Sequence, residues 1–207
     1  MCRCGLVAVM VAVLWQAPLS GASPRPRRVL SLNSAIAAGH VRAVIVGTGA
    51  SSGDSIKLIV AKTVRAPAGT LALTVAPGTI VRSTVDGYQS MVVAGVRGRY
   101  LGDGRYRPSS QIVVSGSRPV TYILQAYCTE PEKRDATPSV RFALARVDPV
   151  LGCIAVRGRG LSIPSLQSAV WRHSDGVEFE TVNERLGLSK LGWTRAVSVV
   201  DSCSQRF

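Results

Sequence analysis

The stretch "VTYILQAYCTEPEK" (residues 120–133) decides the fold, because the character of the sequence changes inside it. Its first nine residues are mostly β-branched, aliphatic and aromatic, and its last five are polar and include a proline. Strand-like runs precede this stretch and helix signals follow it. The sequence therefore predicts an α+β fold. We expect an N-terminal antiparallel β sandwich or barrel over 41–130, and a small helical lobe over 131–207 packed against it.

Seven short runs rich in β-branched residues support the β lobe. They are RAVIVG (42–47), SIKLIVAKTV (55–64), LALTVA (71–76), TIVRS (79–83), QSMVVAGV (89–96), QIVVSG (111–116) and VTYILQAYC (120–128). Turn-forming segments such as APAG (66–69) and GDG (102–104) separate them. Many short strands at this spacing are typical of a sandwich or a barrel.

A glycine-rich turn, TGASSG (48–53), lies between the first two of these runs and resembles the phosphate turn of short-chain dehydrogenases. That turn binds a pyrophosphate only where a helix N-terminus follows it. Here the next residues alternate as in a strand, so the pattern predicts a β-hairpin. The sequence therefore predicts no nucleotide cofactor, and none of any other class.

Helix signals dominate after Arg134, in four segments. They are DPVLGCIAVRG (148–158), SIPSLQSAVWRHSDG (162–176), VEFETVNERLG (177–187) and SKLGWTRAVSVVDSC (189–203). Asp148 and Ser189 are predicted N-caps, Ser162 or Ile163 is predicted near the cap of the second segment, and Gly158 and Gly176 are predicted helix ends.

The N-terminus is typical of an export signal over residues 1–22. Arg3 supplies a positive charge, an apolar run covers 5–15, and small residues end the segment. The apolar run is too short to span a bilayer comfortably, and we expect no transmembrane segment after its removal. Residues 23–40 are then predicted to be an exposed basic segment. The product is expected to be secreted, either periplasmic or extracellular.

The chain is strongly basic, with a formal net charge of +13. Such an excess is compatible with nucleic acid, anionic glycans or a membrane surface. The arginines are scattered, and no RNA-binding pattern interleaves them with aromatic residues. The composition therefore disfavours a nucleic-acid partner. A predicted hairpin tip, YLGDGRY (100–106), carries two tyrosines and an arginine that could contact a glycan or a protein.

Gln167 lies on the apolar face of the second predicted helix. Ile163, Leu166, Val170 and Trp171 recur there at spacings of three and four residues. Gln167 follows Ile163 by four residues and precedes Trp171 by four. A buried amide without partners costs a few kcal/mol, roughly 1–3, so this amide must be satisfied. One interpretation is that Gln167 bonds to backbone groups of the β lobe.

The other interpretation pairs Gln167 with Cys128, which ends the strand at the change between the two lobes. The elements AYC (126–128) and LQSAVW (166–171) resemble those of the thioester domains of bacterial surface adhesins. In that family the cysteine sulfur condenses with the glutamine side chain, ammonia leaves, and an amine on a target surface attacks the thioester. The resemblance implies a β lobe packed on a helical lobe.

Carried over to this chain, the resemblance makes Cys128 the thioester sulfur and Gln167 the acyl carbon. Tyr127, Ala169 and Trp171 would be supporting positions. The implied partner is an amine-bearing protein or cell surface. A protein of this kind attaches once and turns over nothing, so a conventional enzyme is not the expected class.

The thioester would also account for an odd number of cysteines. With Cys128 bonded to Gln167, Cys153 and Cys203 can form one disulfide between the first and last helices. The alternative is that Cys153 is simply a buried apolar residue. His173 could shuttle a proton at the site, or could be a solvated histidine at a helix end.

Two other functions stay open. In a noncovalent binding or structural module, Cys128 and Gln167 would only pack the lobe interface. In an extracellular hydrolase, Cys128 would pair with His173. The acidic residues that follow the cysteine are expected to form a solvated loop; they are Glu130, Glu132 and Asp135.

Overall fold

A computed structural model describes residues 28–207 of the chain. The predicted signal peptide, 1–22, lies outside the described residues, as does the start of the predicted basic segment. In the described part no helix has the length and apolar character needed to cross a membrane.

Within residues 28–207 the chain forms ten strands and five α-helices. The strands are β1 (Arg28–Ser31), β2 (Val41–Gly47), β3 (Ser52–Lys62), β4 (Leu71–Thr74), β5 (Thr79–Ser83), β6 (Met91–Gly102), β7 (Arg105–Pro108), β8 (Ile112–Val114), β9 (Val120–Cys128) and β10 (Arg141–Val147). The helices are α1 (Leu32–Ala37), α2 (Pro149–Arg157), α3 (Ile163–Asp175), α4 (Phe179–Leu186) and α5 (Lys190–Ser204), and a 3₁₀ turn covers Gly158–Gly160.

Six of the strands close into an antiparallel barrel in the order β5-β10-β2-β3-β9-β6, with β6 returning to β5. Alternate residues of β9 point inward, and Tyr122, Leu124 and Ala126 join the largest buried cluster. Closure leaves these six strands without free edges, and β7 extends β6 as a hairpin. The α+β class is confirmed, and of the two predicted β architectures the chain adopts the barrel.

A second sheet, in the order β1-β4-β8, lies outside the barrel. Its first strand runs directly into α1, where Ser31 caps the helix and Leu32 and Ala35 are buried. The prediction that residues 23–40 are an exposed segment is therefore wrong for these two side chains.

The glycine-rich turn does connect two antiparallel strands, β2 and β3, so the predicted hairpin is confirmed. Strand β10 was not predicted. It lies within 131–207, where helices were expected, and it pairs with both β2 and β5. Its burial is weak outside Phe142, so its sequence lacks the strong apolar signal of the other barrel strands.

All four predicted helices are present. Asp148, Ser162 and Ser189 cap α2, α3 and α5 with their side chains, as expected. Gly176 ends α3 in the left-handed conformation, with φ of 66°. A second buried cluster contains residues of both strands and helices; among them are Val92, Tyr127, Leu151, Leu166, Ala169, Val170 and Val200.

Candidate functional site

The Gln167 side chain is hydrogen-bonded in both directions to the backbone of Cys128. Its Nε2 donates to the Cys128 carbonyl oxygen at 2.8 Å, and its Oε1 accepts from the Cys128 N–H at 3.2 Å. Both residues are 1 % exposed. The amide therefore caps the end of β9 next to the start of β3, because the Cys128 N–H is shared with the Ser51 carbonyl at 3.1 Å.

Two more α3 side chains bond to the same strand end. The Trp171 indole N–H donates to Cys128 Sγ at 3.1 Å, and Ser174 Oγ donates to the Thr129 carbonyl oxygen at 2.7 Å. Gln167, Trp171 and Ser174 follow one another by four and three residues, so they share one helix face. We call Cys128, Thr129 and these three α3 side chains the seam.

The thiol in the seam is free and buried. Burial raises the pKa of Cys128 to about 12, although the hydrogen bond from Trp171 acts in the opposite direction. The charge of Asp135 raises it further. At neutral pH the sulfur is therefore a protonated thiol, protected from solvent and from external reagents.

The predicted supporting residues lie around the seam but do not all touch it. Ala169 is fully buried and belongs to the cluster shared with the strands. Tyr127 points to the opposite side of β9 from Cys128, and its hydroxyl accepts from Gln125 Nε2 at 2.7 Å. Burial raises the pKa of Tyr127, so its hydroxyl stays protonated.

His173 does not contact the thiol or the glutamine through a hydrogen bond. Its Nε2 lies 3.9 Å from Asp148 Oδ1, in a polar cleft of about 300 Å³ beside the seam. The residues that line this cleft include Thr129 and Ser174 of the seam, and also Arg82 and Asp148. The pairing of Cys128 with His173 that a hydrolase requires is absent from the described residues.

The three acidic residues after Cys128 all have partners. Burial alone would raise the pKa of Glu130, but Lys133 and the Ser90 N–H outweigh it, and the pKa falls below its ordinary value. Glu132 pairs with Arg185 at 2.7 Å. Asp135 accepts from Gln89 Nε2 at 3.1 Å. Glu130 also lines the cleft that contains His173, whereas Glu132 and Asp135 do not.

Cys153 and Cys203 form a disulfide that joins α2 to α5, with a Cα–Cα distance of 5.7 Å. The predicted disulfide between Cys153 and Cys203 is therefore present. No group of three His, Cys, Asp or Glu side chains within 28–207 could hold a metal ion.

Comparison with protein families, with curated proteins and with solved structures finds no match to this chain. The seam must therefore be interpreted from its own geometry. The sequence predicts that Cys128, Gln167 and Trp171 lie together, and it does not predict that Thr129 and Ser174 join them. The spacing of Ser174, seven residues after Gln167, is the one signal that could have placed it on the same face.

Proposed function

We propose that this protein is an exported thioester protein, in which Cys128 and Gln167 form an internal thioester that attaches the chain to amine-bearing surfaces. The observation that carries the proposal is the pair of hydrogen bonds between the Gln167 amide and the Cys128 backbone. They hold the carboxamide beside the residue whose sulfur would attack it. The proposal also includes the packing of the helical lobe, 131–207, on the barrel, with the seam as the contact between α3 and the end of β9.

The condensation balances without any other reactant. Cys128 Sγ bonds to Gln167 Cδ, the C–N bond breaks, and Nε2 leaves as ammonia after it takes the thiol proton. The Cys128 N–H already donates to Oε1 at 3.2 Å, where negative charge develops during the attack. The Trp171 N–H donates to the sulfur and favours its thiolate form.

The high pKa of Cys128 makes the thiolate rare, and this is compatible with the proposed role. The bond is made once in each molecule, so a slow reaction is sufficient. Burial of Cys128 and Gln167, residues that are each 1 % exposed, would then shield the thioester from hydrolysis. An amine that reaches the acyl carbon forms an amide with Gln167 and releases the Cys128 thiol.

His173 could take the proton of that incoming amine. It lines the polar cleft beside the seam, with Asp148 close to its Nε2. Asp148 caps α2 through the backbone of Val150 and Leu151, so its carboxylate is fixed in place. The imidazole of a histidine is a common proton acceptor in enzyme and protein chemistry.

A second function is favoured by the same hydrogen bonds. They satisfy the Gln167 amide on both of its polar atoms, as a purely structural glutamine requires. In this case the chain is a noncovalent binding or structural module. Cys128 then serves as a small buried residue whose sulfur accepts the Trp171 indole N–H.

Intact mass of the unreduced protein, quenched in acid, distinguishes the two functions. The thioester lowers the mass by about 17 mass units relative to the disulfide-bonded chain, and methylamine then adds about 31. Methylamine should also expose one thiol that iodoacetamide labels in denaturant. Cys128→Ala is the matched control, because both hydrogen bonds of Gln167 go to the Cys128 backbone. The thioester is refuted if the wild-type chain lacks the mass deficit and iodoacetamide labels Cys128 in denaturant without any prior methylamine treatment.

A further inference from the structure

A second cleft lies away from the seam, on the outer side of β6. Its volume is about 660 Å³, within the range of small-molecule sites. Val75, Ala94 and Val96 form part of its wall, and Arg97, Ser110 and Arg159 contribute polar groups. Among residues 28–207 no carboxylate lines it. The cleft therefore combines an apolar surface with hydrogen-bond donors and two guanidinium groups, of which that of Arg97 is paired with Asp54.

Strand β6 is built irregularly where it borders this cleft. Its register with β9 shifts between Val93 and Gly95, and again between Val96 and Gly98. Ala94 and Arg97 are the extra residues, so neither has a partner on β9. Bulges of this kind redirect side chains, and here both of the redirected residues line the cleft.

Two residues that do not line the cleft, Asp54 and Tyr106, hold the Arg97 guanidinium in place. Its Nε donates to Asp54 Oδ1 at 3.1 Å, and its Nη2 donates to the Tyr106 hydroxyl at 3.1 Å. Desolvation lowers its pKa, but Tyr106 and Asp54 outweigh this and the pKa is raised. These two bonds leave the Nη1 hydrogens and one Nη2 hydrogen without a partner among residues 28–207. A guanidinium fixed in this way needs little further ordering when it binds an anion.

Arg159 adds a second positive group from a different element. It lies in the 3₁₀ turn after α2, and it forms no ion pair with a carboxylate of the described residues. The two arginines reach the cleft from the barrel and from the helical part of the chain. Fork-shaped guanidinium groups match the geometry of a carboxylate, which accepts hydrogen bonds on both oxygens.

We infer that this cleft binds a small organic carboxylate, with the anionic group on Arg97 and Arg159 and the uncharged body on Val75, Ala94 and Val96. The inference does not depend on the thioester. The cleft shares no lining residue with the seam, so the inference uses neither Cys128 nor Gln167.

Calorimetric titration with hexanoate, hexanol and inorganic phosphate tests the site on the full chain. Hexanoate should bind, and hexanol and phosphate should each bind at least about tenfold more weakly, because each lacks one half of the recognition. Arg97→Gln and Arg159→Gln should each weaken hexanoate binding by about tenfold. Arg107→Gln, an exposed arginine of β7 that does not line the cleft, should leave it unchanged.

Several results would overturn this assignment. They are no binding of hexanoate, binding that all three arginine variants weaken equally, and phosphate binding as tight as that of hexanoate. Cys128→Ala should bind hexanoate as the wild type does. If the wild type shows no mass deficit and still binds hexanoate, the thioester fails while the carboxylate site stands.

Discussion

Two sites that contain cysteine sulfur connect elements of this protein, one by a covalent bond and the other by hydrogen bonds. The Cys153–Cys203 disulfide joins α2 to α5 by a covalent bond across a sequence separation of 50. At the seam, β9 and α3 meet through hydrogen bonds to Cys128 and Thr129, and the Cys128 thiol is free.

The difference separates two kinds of stabilisation. A disulfide acts mainly on the unfolded chain, whose loops it restricts, whatever the surroundings of its sulfur atoms. The seam acts on the folded chain, because its hydrogen bonds exist only when β9 and α3 are in place. A free thiol buried beside an oriented amide is thus a feature of the folded state alone, and any chemistry between the two groups requires folding first.

Removal of the disulfide should give the largest loss of stability. For a loop of this length the chain-entropy relation predicts a loss of about 4 kcal/mol in the free energy of unfolding for Cys153→Ala/Cys203→Ala. Urea unfolding followed by circular dichroism measures it. Wild-type protein reduced before the measurement serves as a chemical control and should lose a similar amount. A loss below about 1 kcal/mol would show that the disulfide does not restrict the unfolded chain in this way.

The hydrogen bonds of the seam should give the next largest effect. They are isolated in a Cys128→Ala background, which cannot form a thioester and keeps the backbone groups that Gln167 binds. Adding Gln167→Ala should cost about 3 kcal/mol, because two buried hydrogen bonds are lost and a cavity is left.

The matched control is Gln205→Ala in the same background, since Gln205 is exposed at the end of α5. Its effect on unfolding should be within about 0.5 kcal/mol. If Gln167→Ala were equally harmless, the seam would not stabilise the contact between strand and helix, and the contrast with the disulfide would disappear.

The sequence predicts the local features of the helices that carry these two sites. The ends of α2, α3 and α5 follow from local signals, since Asp148, Ser162 and Ser189 bond to backbone groups within three residues of themselves. The helix face that contains Gln167 and Trp171 follows from spacing in the same way. Such features depend only on neighbours along the chain, so a pattern reveals them.

Long-range pairing is what the patterns could not supply. Strand β10 is defined by its partners β5 and β2, which lie far away in the sequence, and it has little apolar alternation of its own. The contact of Ser174 with the Thr129 carbonyl is equally nonlocal. A serine in the last turn of a helix is ordinary in sequence, and only the fold brings it to the strand end.

The pH dependence of stability provides the most direct measure of the buried thiol, and over a single pH unit its expected effect is the smallest of the three. Gln167→Met cannot form a thioester, and its apolar side chain keeps Cys128 desolvated. The thiol has a pKa of about 12 in the folded chain, against about 8.5 when unfolded. Between these values the unfolded chain loses a proton that the folded chain keeps, so raising the pH favours unfolding. Stability should fall by about 1.4 kcal/mol per pH unit above about pH 9, and be fully present below the unfolded pKa.

Urea unfolding of Gln167→Met and of Gln167→Met/Cys128→Ala at each pH isolates this slope, because lysines and tyrosines titrate alike in both. A difference between the two variants that does not change with pH would contradict a buried, protonated thiol. The wild type then sharpens the comparison of the two sulfur sites. If Cys128 is bonded to Gln167 it has no proton to lose, and the wild type should lack the slope for as long as the thioester survives. Hydroxide hydrolyses a thioester that unfolding exposes, so intact mass is recorded at each pH, where hydrolysis appears as the gain of one water. If the wild type has the slope and its mass shows no such gain, its thiol is free, and hydrogen bonds alone hold the seam.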